Sequence, residues 1–221
     1  MRIVRGTAAV LLVVAGCATS ASESETEIPL PPRADLPEGG DATLLKVDAG
    51  GDGGERDAAT EAEAGPAGPI VFVSSTTTVA NTGGLTGADA RCAGLATAAG
   101  LGGAWVAWLS NGPSGPHAAD RVTSAGPWYL RSGEMVALNK IELVSGTLRH
   151  AIDRDESGAQ VAASRVWTGS GTNGRYLTND CDKWTTGTNG RVGDSSATGA
   201  AWTTAGVDGC GQQRRLYCFQ N

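Results

Sequence analysis

The chain has 221 residues, 33 of them glycine, with a formal charge of −6 and only eleven aromatic side chains: six Trp, three Tyr and two Phe. Residues 18–69 hold twelve acidic against three basic side chains, whereas residues 70–221 hold eleven against twelve. The acidity therefore belongs to one segment, and the near-neutral remainder lacks the concentrated basic face that nucleic-acid binding requires.

Met1-Arg-Ile-Val-Arg5 is a short basic start, followed by the apolar run Thr7 to Gly16 and then Cys17. The pattern is that of a signal peptide, too short for a permanent membrane span. The box Val14-Ala15-Gly16-Cys17 resembles a bacterial lipoprotein cleavage site, in which the cysteine is acylated and becomes the mature N-terminus. An ordinary cleaved signal with an incidental cysteine is the competing reading. The expectation is an exported chain with lipid on Cys17, held to a bacterial outer membrane or cell surface through that anchor alone. Ala18 rather than Asp after the cysteine favours the outer membrane.

Residues 18–69 are rich in Ala, Gly, Glu, Asp and Pro, with no aromatic residue. Such a segment cannot bury enough apolar surface to offset the entropy of ordering, so a disordered linker is expected. As a flexible coil of about 50 residues it would reach roughly 35–45 Å.

Texture changes at Pro69. Ile70-Val-Phe-Val73 reads as a first strand. Thr86 and Asp89 form a capping-box-like start to a helix that carries Cys92 and ends at Gly100. Trp105 to Leu109 reads as a second strand, and residues 111–126 as a Gly/Pro/Ser loop. Pro127 to Leu130 and Met135 to Ala137 read as short strands around the turn Arg131–Glu134. Leu138 to Leu148 fits either a helical turn or a strand. Val166-Trp-Thr168 and Arg215 to Phe219 complete the strands. The repeat Gly171-Thr-Asn-Gly-Arg175 and Gly187-Thr-Asn-Gly-Arg191 predicts two exposed Asn-Gly turns.

Export admits disulfides. With Cys17 lipidated, Cys92, Cys181, Cys210 and Cys218 remain, and four cysteines allow three pairings. Val71-Phe-Val-Ser-Ser75, Gly87-Ala-Asp-Ala-Arg-Cys92, Ala107-Trp-Leu-Ser110, Val166-Trp-Thr-Gly169, Asn179-Asp-Cys-Asp-Lys-Trp184 and Arg215-Leu-Tyr-Cys-Phe219 together resemble a bacterial domain family of unknown function. Leptospiral endostatin-like outer-membrane proteins belong to that family. The resemblance covers residues 70–221. It implies an α+β domain of C-type-lectin-like, endostatin-like fold, with a twisted antiparallel sheet, few helices and long loops. It also implies two nested disulfides, Cys92–Cys218 and Cys181–Cys210.

Candidate chemistry is sparse. Neither the Glu-Pro-Asn or Gln-Pro-Asp loop nor the Trp-Asn-Asp strand of calcium-dependent lectins occurs. Asn179, Asp180 and Asp182 offer oxygens for a hard cation such as calcium, against capping of a chain turn as the simpler role. Asp153 to Gly158 matches half of an EF-hand loop, but Ser164 stands at the twelfth position, so an acidic turn is expected and no cofactor is assigned. His117 and His150 lack zinc spacing, and no nucleophile-elbow motif is present. Arg175, Arg191, Arg214 and Arg215 could form a small basic patch for sulfated polysaccharide, against solvated surface as the simpler account in a near-neutral domain, and Trp184 a recognition anchor. In a domain so poor in Phe and Leu, core is the default for tryptophan. These readings converge on a non-enzymatic, surface-tethered binding module. It would offer loops 111–126, 153–160 and 170–200 to an extracellular protein or polysaccharide. A structural envelope-assembly lipoprotein is the alternative, and an enzyme on the same fold the more remote one.

Overall fold

The computed structural model describes residues 65–221; the signal segment, Cys17 and nearly all of the acidic linker lie outside the described residues. The described chain is a mixed α+β unit dominated by sheet. Strand β1 (Val71–Val73) is followed by helix α1 (Gly84–Ala98), β2 (Trp105–Ala107), the short α2 (Ala118–Arg121), β3 (Trp128–Tyr129) and β4 (Met135–Ala137). Then come α3 (Lys140–Leu143), β5 (Arg165–Trp167), β6 (Asn189–Asp194), β7 (Gly206–Gly209) and β8 (Arg215–Gln220). A six-stranded sheet runs in the order β1-β8-β5-β6-β7, with β2 also on β8, and β3 with β4 forms a separate hairpin.

The last strand organises this sheet. Residues 217–219 pair with β1, residues 218–220 with β2 and residues 215–216 with β5. The β5–β8 pair is parallel, which corrects the expectation of a wholly antiparallel sheet. A parallel pair needs a long crossover, and β6 and β7 are built within it.

Alternation along β8 sends successive side chains to opposite faces. Tyr217 and Phe219 join one core with Trp108, Trp128 and Trp202. Ring centroids there lie 4.9 Å apart for Trp108–Trp202, 5.3 Å for Trp108–Phe219 and 5.6 Å for Trp202–Tyr217. Leu216 and Cys218 face the second core, with Phe72, Trp105, Trp167, Trp184 and the α1 residues Ala88, Cys92 and Ala96. Those three α1 positions recur every four residues and so form one stripe.

Both disulfides lie in the second core. Cys92 bonds to Cys218 and Cys181 to Cys210, with sequence separations of 126 and 29. On the loop-entropy model these links contribute roughly 5 and 3.5 kcal/mol respectively. The larger one ties α1 to the strand on which three others pair.

Several sequence expectations need correction. The helix begins at Gly84, with left-handed Gly83 at its N-cap and no side-chain cap. Asp89 serves a tertiary contact instead. Its carboxylate accepts from the Ala107 N–H at 2.8 Å and from Arg121 at 2.6 Å. Trp108 and Leu109 leave the ladder of β2 as the chain bends toward the loops, although the Trp108 N–H still donates to Tyr217 O at 2.9 Å. The loop 111–126 contains α2, and the ambiguous stretch after Leu138 resolves as α3, capped by the Asn139 side chain.

The Asn-Gly repeat divides into two roles. Gly171–Arg175 is a turn, closed by Gly171 N–H to Arg175 O at 2.9 Å. Asn189-Gly190 instead opens β6, so the second turn is absent. Gly190 is required there for room: a Cβ would meet Cys181 Sγ at 2.6 Å and the Trp167 ring at 2.7 Å. Replacement of Gly190 by Ala is expected to destabilise the domain by about 1–3 kcal/mol through overpacking. Thermal denaturation checks this, and an unchanged Tm would contradict the close approach.

Candidate functional site

The loops at the β6 side of the sheet are pinned by buried polar contacts. Ser110, His117, Ser170 and Asp180 are all buried. Ser110 Oγ lies 2.8 Å from Ser170 Oγ and accepts the Ala118 N–H at 3.0 Å. His117 Nδ1 accepts the Tyr176 N–H at 3.1 Å, and the Asp180 carboxylate accepts the Gly112 N–H at 2.8 Å. Segments 110–118 and 170–180 are thereby fastened together through groups that would be costly to bury unpaired.

Beyond Asp180 the backbone turns left-handed. Cys181, Asp182, Lys183 and Trp184 have φ of 49, 48, 59 and 64°, and Thr178 and Asn179 precede them at 52 and 60°. Trp184 N–H donates to Asp180 O at 2.8 Å, closing a helical turn of reversed hand. For residues with a Cβ this costs roughly 1–2 kcal/mol each. Three anchors hold the turn: the Cys181–Cys210 disulfide, the fully buried Trp184, and the indole N–H that Trp184 donates to Ser110 O at 2.9 Å.

This arrangement reassigns the residues singled out in the sequence. Trp184 packs against Trp167 at 6.1 Å between centroids and presents no ring to solvent, which corrects its candidacy as an anchor. The three oxygen-bearing candidates serve the chain. Asp180 holds Gly112, Asp182 accepts from Thr186 Oγ1 at 3.2 Å, and the Asn179 amide donates to Thr178 Oγ1 at 3.1 Å. Among the described residues no group of three or more His, Cys, Asp or Glu is placed to hold a metal ion. In the 153–158 turn, Asp155 Oδ1 accepts from Ser157 N–H at 2.9 Å and Ala159 N–H at 3.0 Å. Glu156 turns inward to accept from the backbone N–H and hydroxyl of Ser75. His150 Nδ1 meets the neighbouring Ala151 carbonyl at 2.8 Å, away from His117 and its Tyr176 contact.

Nor do the four arginines form one patch. Arg191 pairs with Val207 in the β6–β7 ladder, so both project from one face. Asp208, the next residue, projects from the other face and takes Arg214 at 2.6 Å. Arg215 donates to Ser74 O and Ser75 O. Only Arg175 and Arg191 share a neighbourhood, because Arg191 donates to Leu177 O at 2.6 Å, Thr204 Oγ1 at 3.0 Å and Thr178 Oγ1 at 3.3 Å.

Two open clefts flank this pinned region. One, of about 400 Å³, lies between Asn111–Gly115 and Lys183 on the left-handed turn. The other, of about 410 Å³, is lined by Thr172, Asn173, Arg175, Tyr176, Leu177 and Thr204. Tyr176 is the residue that sequence reasoning passed over. All six tryptophans are buried, as are Phe72, Phe219 and Tyr217, so only Tyr129 and Tyr176 keep part of a ring in solvent. Burial, and then the Asp180 carboxylate, push the Tyr176 phenol above its ordinary value, so it remains a hydrogen-bond donor at neutral pH. Its position directly after the Asn-Gly turn was the available signal.

No protein-family model matches the chain, and a search of curated proteins finds no match.

Replacing Asp180 with Ala leaves the Gly112 N–H buried without a partner, a cost of about 1–3 kcal/mol. Amide hydrogen exchange is expected to quicken across residues 110–117 in that variant while β1 and β8 stay protected. Uniform quickening, or none, would contradict the pinning role.

Proposed function

We propose that this chain is a non-enzymatic, surface-tethered binding protein, in which lipid on Cys17 and an acidic spacer carry a lectin-like domain away from the membrane. The observation that supports this reading best is the pinning of segments 110–118 and 170–187 by Asp180, His117, Ser110 and the Cys181–Cys210 link. Ordering that many loop residues costs entropy, and buried contacts that hold them beside open clefts are the arrangement a rigid recognition face needs. The C-type-lectin-like, endostatin-like assignment belongs to the same proposal. So does the likeness to leptospiral outer-membrane proteins, which rests on the ordered cysteine and tryptophan phrases. The ligand class is an extracellular protein or polysaccharide, met outside the cell by a domain of near-neutral net charge.

Cells producing the full chain, passed over immobilised matrix proteins and polysaccharides, test this directly. Retention is expected for the wild type and is lost with Cys17→Ser, which also stops incorporation of labelled palmitate. Absence of retention on every surface would sink the binding reading, and unchanged retention and labelling in Cys17→Ser would sink the tether.

A further inference from the structure

We infer that the Tyr176 cleft is a metal-independent subsite for an acidic saccharide, with the sugar ring stacked on Tyr176 and its carboxylate against Arg175. The inference deepens the binding reading and rests on it.

The first observation is the distribution of aromatic surface. A Gly-rich domain with eleven aromatic rings uses nine of them for its two cores. Of the two left partly exposed, Tyr129 lines a cleft of about 540 Å³, one wall of which is Gly65–Ala67, the first described residues. Tyr176 lines a cleft built from the pinned 171–177 loop and Thr204, beside Leu177, which is 44% exposed. A partly exposed phenol next to an exposed aliphatic side chain makes an apolar shelf that fits the C–H face of a pyranose.

The second observation is the polar rim. Thr172, Asn173 and Thr204 supply short side chains that both donate and accept, the pairing that sugar hydroxyls need. Arg175 is the one charged group among the lining residues. Its contact with Asp120 is 3.8 Å, with both side chains more than half exposed, so the pair is worth little and the guanidinium is free to take a carboxylate bidentately. Arg191 donates to Leu177 O and Thr204 Oγ1, on two of the lining residues, and to Thr178 Oγ1, and so ties the two sides of the cleft together.

The third observation is rigidity. Gly174 has φ of +68°, and a Cβ there would meet the Trp108 ring and Ala119 Cβ at 2.8 Å. Ala119 N–H also donates to Gly174 O at 3.1 Å, and the Tyr176 N–H is held by His117. The ring and the arginine are thus presented from a turn packed onto the first core, with little ordering left for a ligand to impose. At about 410 Å³ the cleft suits one or two sugar rings.

The test is titration calorimetry on the full chain in detergent, with oligogalacturonate and alginate-derived oligouronates as probes. Each is compared with its methyl-esterified form, which keeps the ring and removes the charge. At least one oligouronate is expected to bind, unchanged by EDTA, and to weaken about tenfold on esterification. Tyr176→Ala and Arg175→Ala should each weaken binding about tenfold or more, while Tyr176→Phe keeps most of it and Ile141→Ala, exposed on α3, changes nothing. Unaltered Tm and absence of free thiols show that each variant is folded. Failure of every oligouronate to bind, equal binding of the esters, loss of binding in EDTA, or full binding by folded Tyr176→Ala would each overturn the inference. If cells are still retained on a protein surface while oligouronates neither bind nor compete, the saccharide subsite falls and the binding reading stands. If no surface retains the cells, the binding reading itself has failed.

Discussion

The C-terminal strand is the constraint on which the rest of the structure depends. β8 is bordered on one edge by β1 and on the other by β5 and then β2, and its alternating side chains enter both cores. Cys218 adds a covalent link to α1 from the middle of that strand. Two of the five pairings in the sheet, β1–β8 and β2–β8, thus join residues more than a hundred positions apart. Loop closure of that length is costly, and contacts of such separation form late in folding. The Cys92–Cys218 link acts on this same difficulty, because it removes a closure of 126 residues from the unfolded ensemble.

A second, local frame is built on that sheet. Four consecutive left-handed residues are unfavourable alone, and they persist because disulfide, buried indole and strand packing all require the same backbone course. Gly190 lets β6 pass against Cys181 and Trp167, and Asp180 bridges to the strand beside them through its pairing with Gly190. The loops 110–118 and 170–180 therefore owe their position both to the interior of the second core and to the buried polar contacts that fasten them to each other. The cysteines and tryptophans that draw attention in the sequence are the interior of this frame.

Much of the secondary structure was legible, for physical reasons. β1, β3, β4, β5 and β8 are short β-branched and aromatic runs bounded by turn residues, which is what a buried strand looks like in sequence. β6 and β7 were not legible, because Asn189-Gly190-Arg191 and Gly206-Val207-Asp208-Gly209 carry turn chemistry and become strands only through their neighbours. Asp89 sat where a helix cap belongs, yet Arg121 and the Ala107 N–H, both distant in sequence, claimed its carboxylate. The disulfide pairing could not be read from spacing; the resemblance implied the two links that the structure contains. At the candidate site the sequence pointed to Trp184 and to four arginines. Burial removed the first, and the two faces of the sheet separated Arg191 from Arg214. Tyr176 gained its place only once nine of the eleven aromatic rings had been assigned to a core, with Tyr129 the other left partly exposed.

The central claim is that the Cys181–Cys210 frame, rather than the sheet as a whole, holds the loops 110–118 and 170–187. Hydrogen exchange on the Cys181→Ser/Cys210→Ser double variant tests it most directly. The account predicts that protection falls across residues 110–117 and 176–190 while β1, β2 and β8 stay as slow as in the native chain. Protection unchanged in those loops, or lost evenly through the sheet, would contradict it.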